Sequence, residues 1–284
     1  MGVHAVVALR HGEVFLEEYG EGEDFSWGQP LGHVRFGPDT LHDLRSVTKS
    51  VTGLLYGIAL AEGSVPSPDE PVSSKRPELL VRHALTMTLG IEWDESVPYT
   101  STANSEIAME MADDRYEFIL SRPLVEEPGT SWHYCGGATA LIGKLIADGT
   151  GLTLEEFARS RLFAPLGISD FVWMAGDDGI ASPASGLRLR PRDLAAIGQL
   201  VLDQGRDIVP ASWIAEATQP KVAIDEGTSY GYQWWVCDDW VGGFGNGGQR
   251  LVVVPGKSLV IAVNDGAYDG DTSASQSVID AILS

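Results

Sequence analysis

The strongest constraint on this chain's fold is the order in which its hydrophobic periods change. Two short runs, AVVALR (5–10) and VFLEEYG (14–20), read as strands turned at His11-Gly12. A Gly/Pro-rich loop, WGQPLGHVRFGPDT (27–40), is expected next. Apolar residues then recur at helical spacing from Ser46 to Glu62, and Gly63 supplies the stop. The helical period continues through LLVRHALTM, NSEIAMEMADDRYEFIL, ATALIGKLIADGTG and TLEEFARSRLF, where Thr153 and Glu156 fit a capping box. After residue 183 one more helix, PRDLAAIGQLVLDQG, precedes YGYQWWVC, QRLVVVP and SLVIAVN. These last three are aromatic and β-branched runs parted by Gly and Pro, and SASQSVIDAILS closes the chain as a helix.

Strands at both ends around a helical middle cannot make an alternating βαβ fold. The order predicts an α/β protein with an antiparallel five-stranded sheet, flanked by helices and carrying an inserted helical domain. Residues 1–45 plus 183–284 would form the sheet domain and 46–182 the mainly helical one, with an active site at their junction. No internal repeat or low-complexity segment is visible.

A chain of 284 residues can bury a large core. Its formal net charge of -21, spread along the chain, would repel phosphate and makes nucleic acid an unsuitable partner. No apolar run is long enough to span a bilayer, so no membrane partner is expected. The N-terminal MGVHAVVALRHGEVFLEEYG lacks the charged, apolar and small-residue regions of a signal peptide. Cys135 and Cys237 have no framework spacing. Together these point to a cytoplasmic location. The sequence sets no oligomeric state.

Ser46 and Lys49, in RSVTKSVTGLLY, stand at i and i+3 and project from one helix face. The pair reads either as a helix cap with a lysine in the next turn, or as a nucleophile with its proton acceptor. A buried or charge-coupled lysine can activate a serine, and the helix N-terminus favours an oxyanion. A rival nucleophile, Ser229 in GTSYG (227–231), matches a G-x-S-x-G elbow. That elbow needs a following helix and a downstream histidine. Here a strand-like run follows, and His133 is the last histidine of the chain. A turn into a strand accounts better for GTSYG. No H-E-x-x-H, C-x-x-C or tight His/Asp spacing suggests a metal, and no glycine-rich strand-to-helix loop suggests a nucleotide. No cofactor is expected.

PGTSWHY (128–134) and GFGNGGQ (243–249) follow Ser46-x-x-Lys49 in order. With them, and with HALTMTLGIEWDE, LTLEEFARSRLFAPLGI, LRPRDLAAIGQLVL and GYGYQWW, the chain resembles the SxxK serine hydrolases. These include class C β-lactamases, DD-peptidases, β-lactamase-fold carboxylesterases and 6-aminohexanoate-dimer hydrolase. The resemblance implies a β-lactamase/DD-peptidase-like fold with Ser46 as nucleophile and Lys49 as base or pKa partner. Tyr134, matching the tyrosine of a Y-x-N/S motif, would relay the proton to the leaving group. It also implies an oxyanion hole from the N–H groups of Ser46 and Asn246, with Gly245 beside the substrate.

Two departures bear on substrate. Gly243-Phe244-Gly245 stands where β-lactamases and peptidases carry Lys-Thr-Gly or His-x-Gly, and Gly136 replaces the Asn or Ser of the tyrosine motif. Both remove groups a β-lactam would use and leave the acyl-transfer residues in place. The expected substrate is therefore a small ester or amide, with β-lactamase or DD-peptidase activity the alternative and a catalytically silent binding protein the second. Tyr99 and Trp132 are candidate substrate-binding residues. Trp93, Trp234, Trp235 and Trp240 could also wall an apolar pocket, although aromatics commonly serve the core. No residue suggests itself as a separate carboxylate base.

Overall fold

The N-terminal runs form β1 (Ala5–Arg10) and β2 (Glu13–Tyr19), and the turn between them has positive φ at both His11 (54°) and Gly12 (81°). That twist matches the twist of the paired strands. The computed structural model describes residues 3–284; the first two residues of the sheet domain expected from the sequence lie outside them.

The stretch expected to be a loop is instead a second hairpin, β3 (Glu21–Ser26) and β4 (Gln29–Arg35), turned at Trp27-Gly28. Its glycines serve the turn and a bulge rather than an open coil. The short β5 (His42–Asp43) then leads into α1 (Val47–Ala61), which ends before Gly63 at φ 70°. The helical middle comprises α2 (Val81–Leu85), α3 (Ser105–Glu110), α4 (Arg115–Leu120), α5 (Gly136–Thr150) and α6 (Leu154–Ala158). A π turn, Arg159–Phe163, extends α6. NSEIAMEMADDRYEFIL breaks into α3 and α4 because Asp114 caps a new helix, accepting from the N–H groups of Tyr116 and Glu117. The Thr153–Glu156 capping box is present in both directions.

β6 (Val172–Trp173) and β7 (Leu187–Leu189) join β5 in a small sheet ordered β5-β7-β6. Then come α7 (Pro191–Leu202), α8 (Ala211–Ala217), β8 (Val222–Asp225), β9 (Thr228–Tyr230), β10 (Trp235–Cys237), β11 (Val241–Gly245), β12 (Gln249–Val254), β13 (Leu259–Asn264) and α9 (Ser273–Leu283). The main sheet is antiparallel with order β2-β1-β13-β12-β11-β10-β9-β8, so it has eight strands where five were expected. The strands from the two chain ends meet as anticipated, with Ala5 opposite Asn264 and Arg10 opposite Leu259.

The three added strands come from three sources, the first being β8, a short edge strand that the sequence reading did not include. The glycine-dense stretch does not merely open a strand; Val241–Gly245 is itself one, and Asn246-Gly247-Gly248 turns it into β12. YGYQWWVC is not continuous either. Gln233 adopts φ 67° and its side chain leaves the sheet plane, bonding Thr139 Oγ1 at 2.6 Å and the carbonyls of Ala84 (3.0 Å) and Leu85 (3.2 Å).

The sheet is covered on both faces. Val7, Leu9, Leu251, Val253, Val260 and Ala262 face a core shared with α1 and α7, while Val6, Ala8, Val252, Ile261 and Val263 face α9 through Ile279. This double covering explains why β12 and β13 are apolar without alternation. α1 is buried from Val47 to Ala59, packed between β11, α5 and α8. Among the described residues no helix is long and apolar enough to cross a membrane.

Candidate active site

α1 begins at Ser46, whose dihedrals (φ -67°, ψ -6°) are already helical and whose side chain caps no backbone N–H. The hydroxyl is turned instead toward Lys49, whose Nζ donates to Ser46 Oγ at 3.0 Å. Of the two readings open at the sequence level, the plain cap is absent. Ser46 remains partly exposed, whereas Lys49 is 1% exposed. The preceding Arg45 has φ 48°, a left-handed conformation costly for a residue with a side chain, and such strain gathers at functional sites. It is held by an ion pair with Asp43 (2.9 Å) and by its guanidinium over the Tyr268 ring (4.6 Å).

Lys49 Nζ has two further partners, Ala184 O at 3.1 Å and Glu106 Oε2 at 3.4 Å. It also lies 4.8 Å from the centre of the Tyr134 ring. Burial works against the lysine's charge, but Glu106, with Tyr134 and Glu95 adding, outweighs it and holds the ammonium above the usual lysine range. Tyr134 is raised, chiefly by burial, while the charge of Lys49 and the nearby Ser46 hydroxyl pull the other way. The sequence reading contained no carboxylate here. Glu106 is 2% exposed on α3, whose Asn104 cap accepts from its N–H at 3.0 Å. Glu95 accepts from Trp93 Nε1 (2.6 Å), the Gly136 N–H (2.6 Å) and Tyr99 OH (2.7 Å).

A small cavity of ≈ 30 Å³ opens beside the nucleophile, lined in part by Ser46, Tyr99, Glu106, Ser185, Arg45 and Asn246. Tyr99 therefore stands at this site, tethered to Glu95. Asn246 follows β11, and its side chain is committed to Asp269, donating to Oδ1 and accepting from the backbone N–H, both at 2.8 Å. What it can offer a substrate is its backbone. A Cβ on Gly245 would lie 2.4 Å from Leu44 O, so the glycine lets β11 approach the chain just before Ser46. Trp132 does not line the cavity. It stands behind Tyr134 (6.1 Å between ring centres) in a cluster with Tyr230 and Trp235. Phe244, between Gly243 and Gly245 on β11, stacks on Trp235. The remaining serine candidate, Ser229, lies within β9 opposite Val236, after a turn with Gly227 at φ 85°.

One set of metal-capable side chains escaped the sequence spacing. His4 Nδ1 and His42 Nε2 are 3.0 Å apart, with Asp24 Oδ1 at 3.5 Å from the latter, all three buried. Arg188 already sets its guanidinium between Asp24 (3.7 Å) and Asp43, a charge that disfavours a cation. The trio ties β1, β3 and β5 together just upstream of Ser46. Cys135 and Cys237 are both unpaired.

Comparison with known proteins shows which family and fold the chain matches. The sequence profile of the family described as "Beta-lactamase" matches residues 3–265. The 6-aminohexanoate-dimer hydrolase of Paenarthrobacter ureafaciens is 28% identical over 306 aligned residues, covering 94% of this chain and 74% of that protein. The lovastatin esterase of Penicillium rubens is 29% identical over 206, covering 60% and 49%. Among solved structures, EstCE1, a hydrolase with promiscuous acyltransferase activity, superposes with a TM-score of 0.81 at 15% identity, covering 99% of this chain and 94% of that one.

Proposed function

Since this chain belongs to the beta-lactamase family, we propose that it is a hydrolase cleaving small esters or amides through an acyl-enzyme on Ser46. The observation that carries this reading is the contact of Lys49 Nζ with Ser46 Oγ at 3.0 Å, with the Tyr134 ring 4.8 Å from the same nitrogen. In the reactive form Tyr134 is a phenolate beside the Lys49 ammonium. Ser46 Oγ attacks the carbonyl carbon as its proton passes to that oxygen, giving a neutral phenol. The negative oxygen that forms lies toward the N–H groups of Ser46 and Asn246. Collapse breaks the bond to the alkoxy or amino group, which leaves with the proton returned by Tyr134. Water then attacks the acyl carbon, gives its proton to Tyr134, and Ser46 departs with a proton from the same tyrosine. Lys49 supports the tyrosine's charge throughout.

The relatives support both bond types, one being named for an amide-containing dimer and one for an ester. With Gly243 where a cation would stand, a substrate carboxylate finds no partner on β11. A panel of short-chain aryl esters and linear amides tests the reading. Ser46→Ala should abolish turnover, and activity retained in full would overturn it. Tyr134→Phe should lower kcat by about 10²–10⁴, the usual contribution of a positioned acid–base group. A chromogenic cephalosporin should turn over far more slowly than the best ester.

A further inference from the structure

Resting on the reading that Ser46 is acylated, we infer that Glu95 and Glu106 form a one-proton acid pair that fixes Lys49 as an ammonium, leaving Tyr134 as the sole proton acceptor for Ser46. The hydrogen-bond inventory of Lys49 is the first support. Its three oxygen neighbours, Ser46 Oγ, Ala184 O and Glu106 Oε2, match the three protons of an ammonium. A neutral amine could still serve Ala184 O and Glu106 Oε2 with two N–H groups and accept from the Ser46 hydroxyl. The count of oxygens therefore fits an ammonium, and the buried Glu106 carboxylate decides for it.

The second support is a count of charge. Glu106, at 2% exposure, needs a cation to remain ionised, and Lys49 is within reach. Glu95 has no cation of its own; its partners Trp93, Tyr99 and Gly136 are neutral donors. Two neighbouring carboxyls with one ammonium between them retain one proton. Burial and the Glu106 charge push Glu95 up to about 7. Against the burial of Glu106, the Lys49 charge above all, with Ser185 and Glu95 adding, holds it below the usual carboxylate range. The other groups facing the pair are Tyr134, Cys135 and Tyr230, all raised chiefly by burial. Glu110 follows on α3, itself pushed up to about 7, and Arg45 lines the same cavity while paired to Asp43.

The third support is steric. A Cβ on residue 136 would lie 2.4 Å from Glu106 Oε2, and the Gly136 N–H holds Glu95. The position that lacks a side chain is the position where the acid pair sits. Glu106 and Glu95 thus act through Lys49 as positioning residues and need not touch substrate.

The test is the rate at which a neutral fluorophosphonate labels Ser46 between pH 5 and 10. In that reaction the serine oxygen bonds to phosphorus, fluoride leaves, and the hydroxyl proton goes to Tyr134. The rate should rise with pH as the Tyr134–Lys49 pair loses one proton. Glu106 holds that proton in place by its negative charge. Glu106→Gln should therefore move the rising limb to lower pH, by about one unit or more for an opposite charge removed at this distance. Glu106→Asp should restore the limb. Glu95→Gln should erase an inflection near pH 7 and shift the limb less in the same direction. A merely structural role for Glu106 would lower stability and leave the limb unmoved, and an unmoved limb in a variant with wild-type thermal unfolding would overturn the inference. Should Glu106→Gln fail to fold, Glu95→Gln decides by the same criterion. No labelling of the wild type at any pH would instead overturn the acylation reading itself.

Discussion

Gly136 shows how one residue can couple backbone and chemistry. It opens α5, where an alanine would gain helix propensity of up to about 1 kcal/mol. The atoms an added Cβ would strike belong to Glu106 (Oε2 at 2.4 Å, Cδ at 2.8 Å, Cγ at 3.0 Å), which is buried against Lys49. Displacing it breaks a buried ion pair, a loss of about 3–5 kcal/mol that exceeds the helix gain. Gly136→Ala should therefore lower the melting temperature and also lower kcat/KM by about tenfold. An unchanged melting temperature would show that the carboxylate relaxes without leaving Lys49. Residues such as Ser46 and Lys49 were legible in the sequence because their partnership is local, one helical turn. Glu106 meets Lys49 across 57 positions of chain. Among 40 acidic residues, neither it nor Glu95 carried a mark that separated it from a solvated surface carboxylate. In the first turn of α3, after the Asn104 cap, an acidic residue is ordinary.

At the scale of elements, periodicity located the long, doubly covered pieces and missed those that tertiary bonds define. β12, β13, α1, α5 and α7 are apolar enough to be read directly. β8 and the hairpin β3–β4 are polar, short and half exposed, so their pairing leaves little pattern. The run YGYQWWVC has the composition of one strand, and only the buried bonds of Gln233 break it. α1 offers a sharper test of packing. A Cβ on Gly57 would lie 2.0 Å from Trp213 Cδ1 on α8, and the Trp213 indole donates to Gly53 O at 2.9 Å. In an isolated helix Gly57→Ala would stabilise by about 1 kcal/mol. Here overpacking costs about 1–3 kcal/mol and the strained indole bond about 1 more. The packing cost wins. Gly57→Ala should unfold about 3–4 °C below the wild type in a thermal melt, for a net loss near 2 kcal/mol in a chain of this size. An increase would show that α8 can shift away freely.

For the molecule as a whole, the governing quantity is a net charge of -21, which sets the field any substrate crosses on its way to Ser46. Inside the site the charges are nearly balanced, since Lys49 answers Glu106 and Arg45 answers Asp43. The imbalance is carried by exposed carboxylates, and salt screens their field beyond a Debye length of about 8 Å at physiological ionic strength. Selection among substrates by charge should therefore appear in association and vanish in salt. For three aryl esters matched in size, kcat/KM of the cationic one should fall by about threefold or more as salt rises from low to high ionic strength. The anionic ester should gain by a similar factor, and the neutral one should hold steady. The salt effect belongs in kcat/KM, because kcat reports the bound complex, where Lys49 and its partners are shielded by burial. A salt response confined to kcat, or one shared equally by all three esters, would place the selecting charge inside the cavity rather than on the surface.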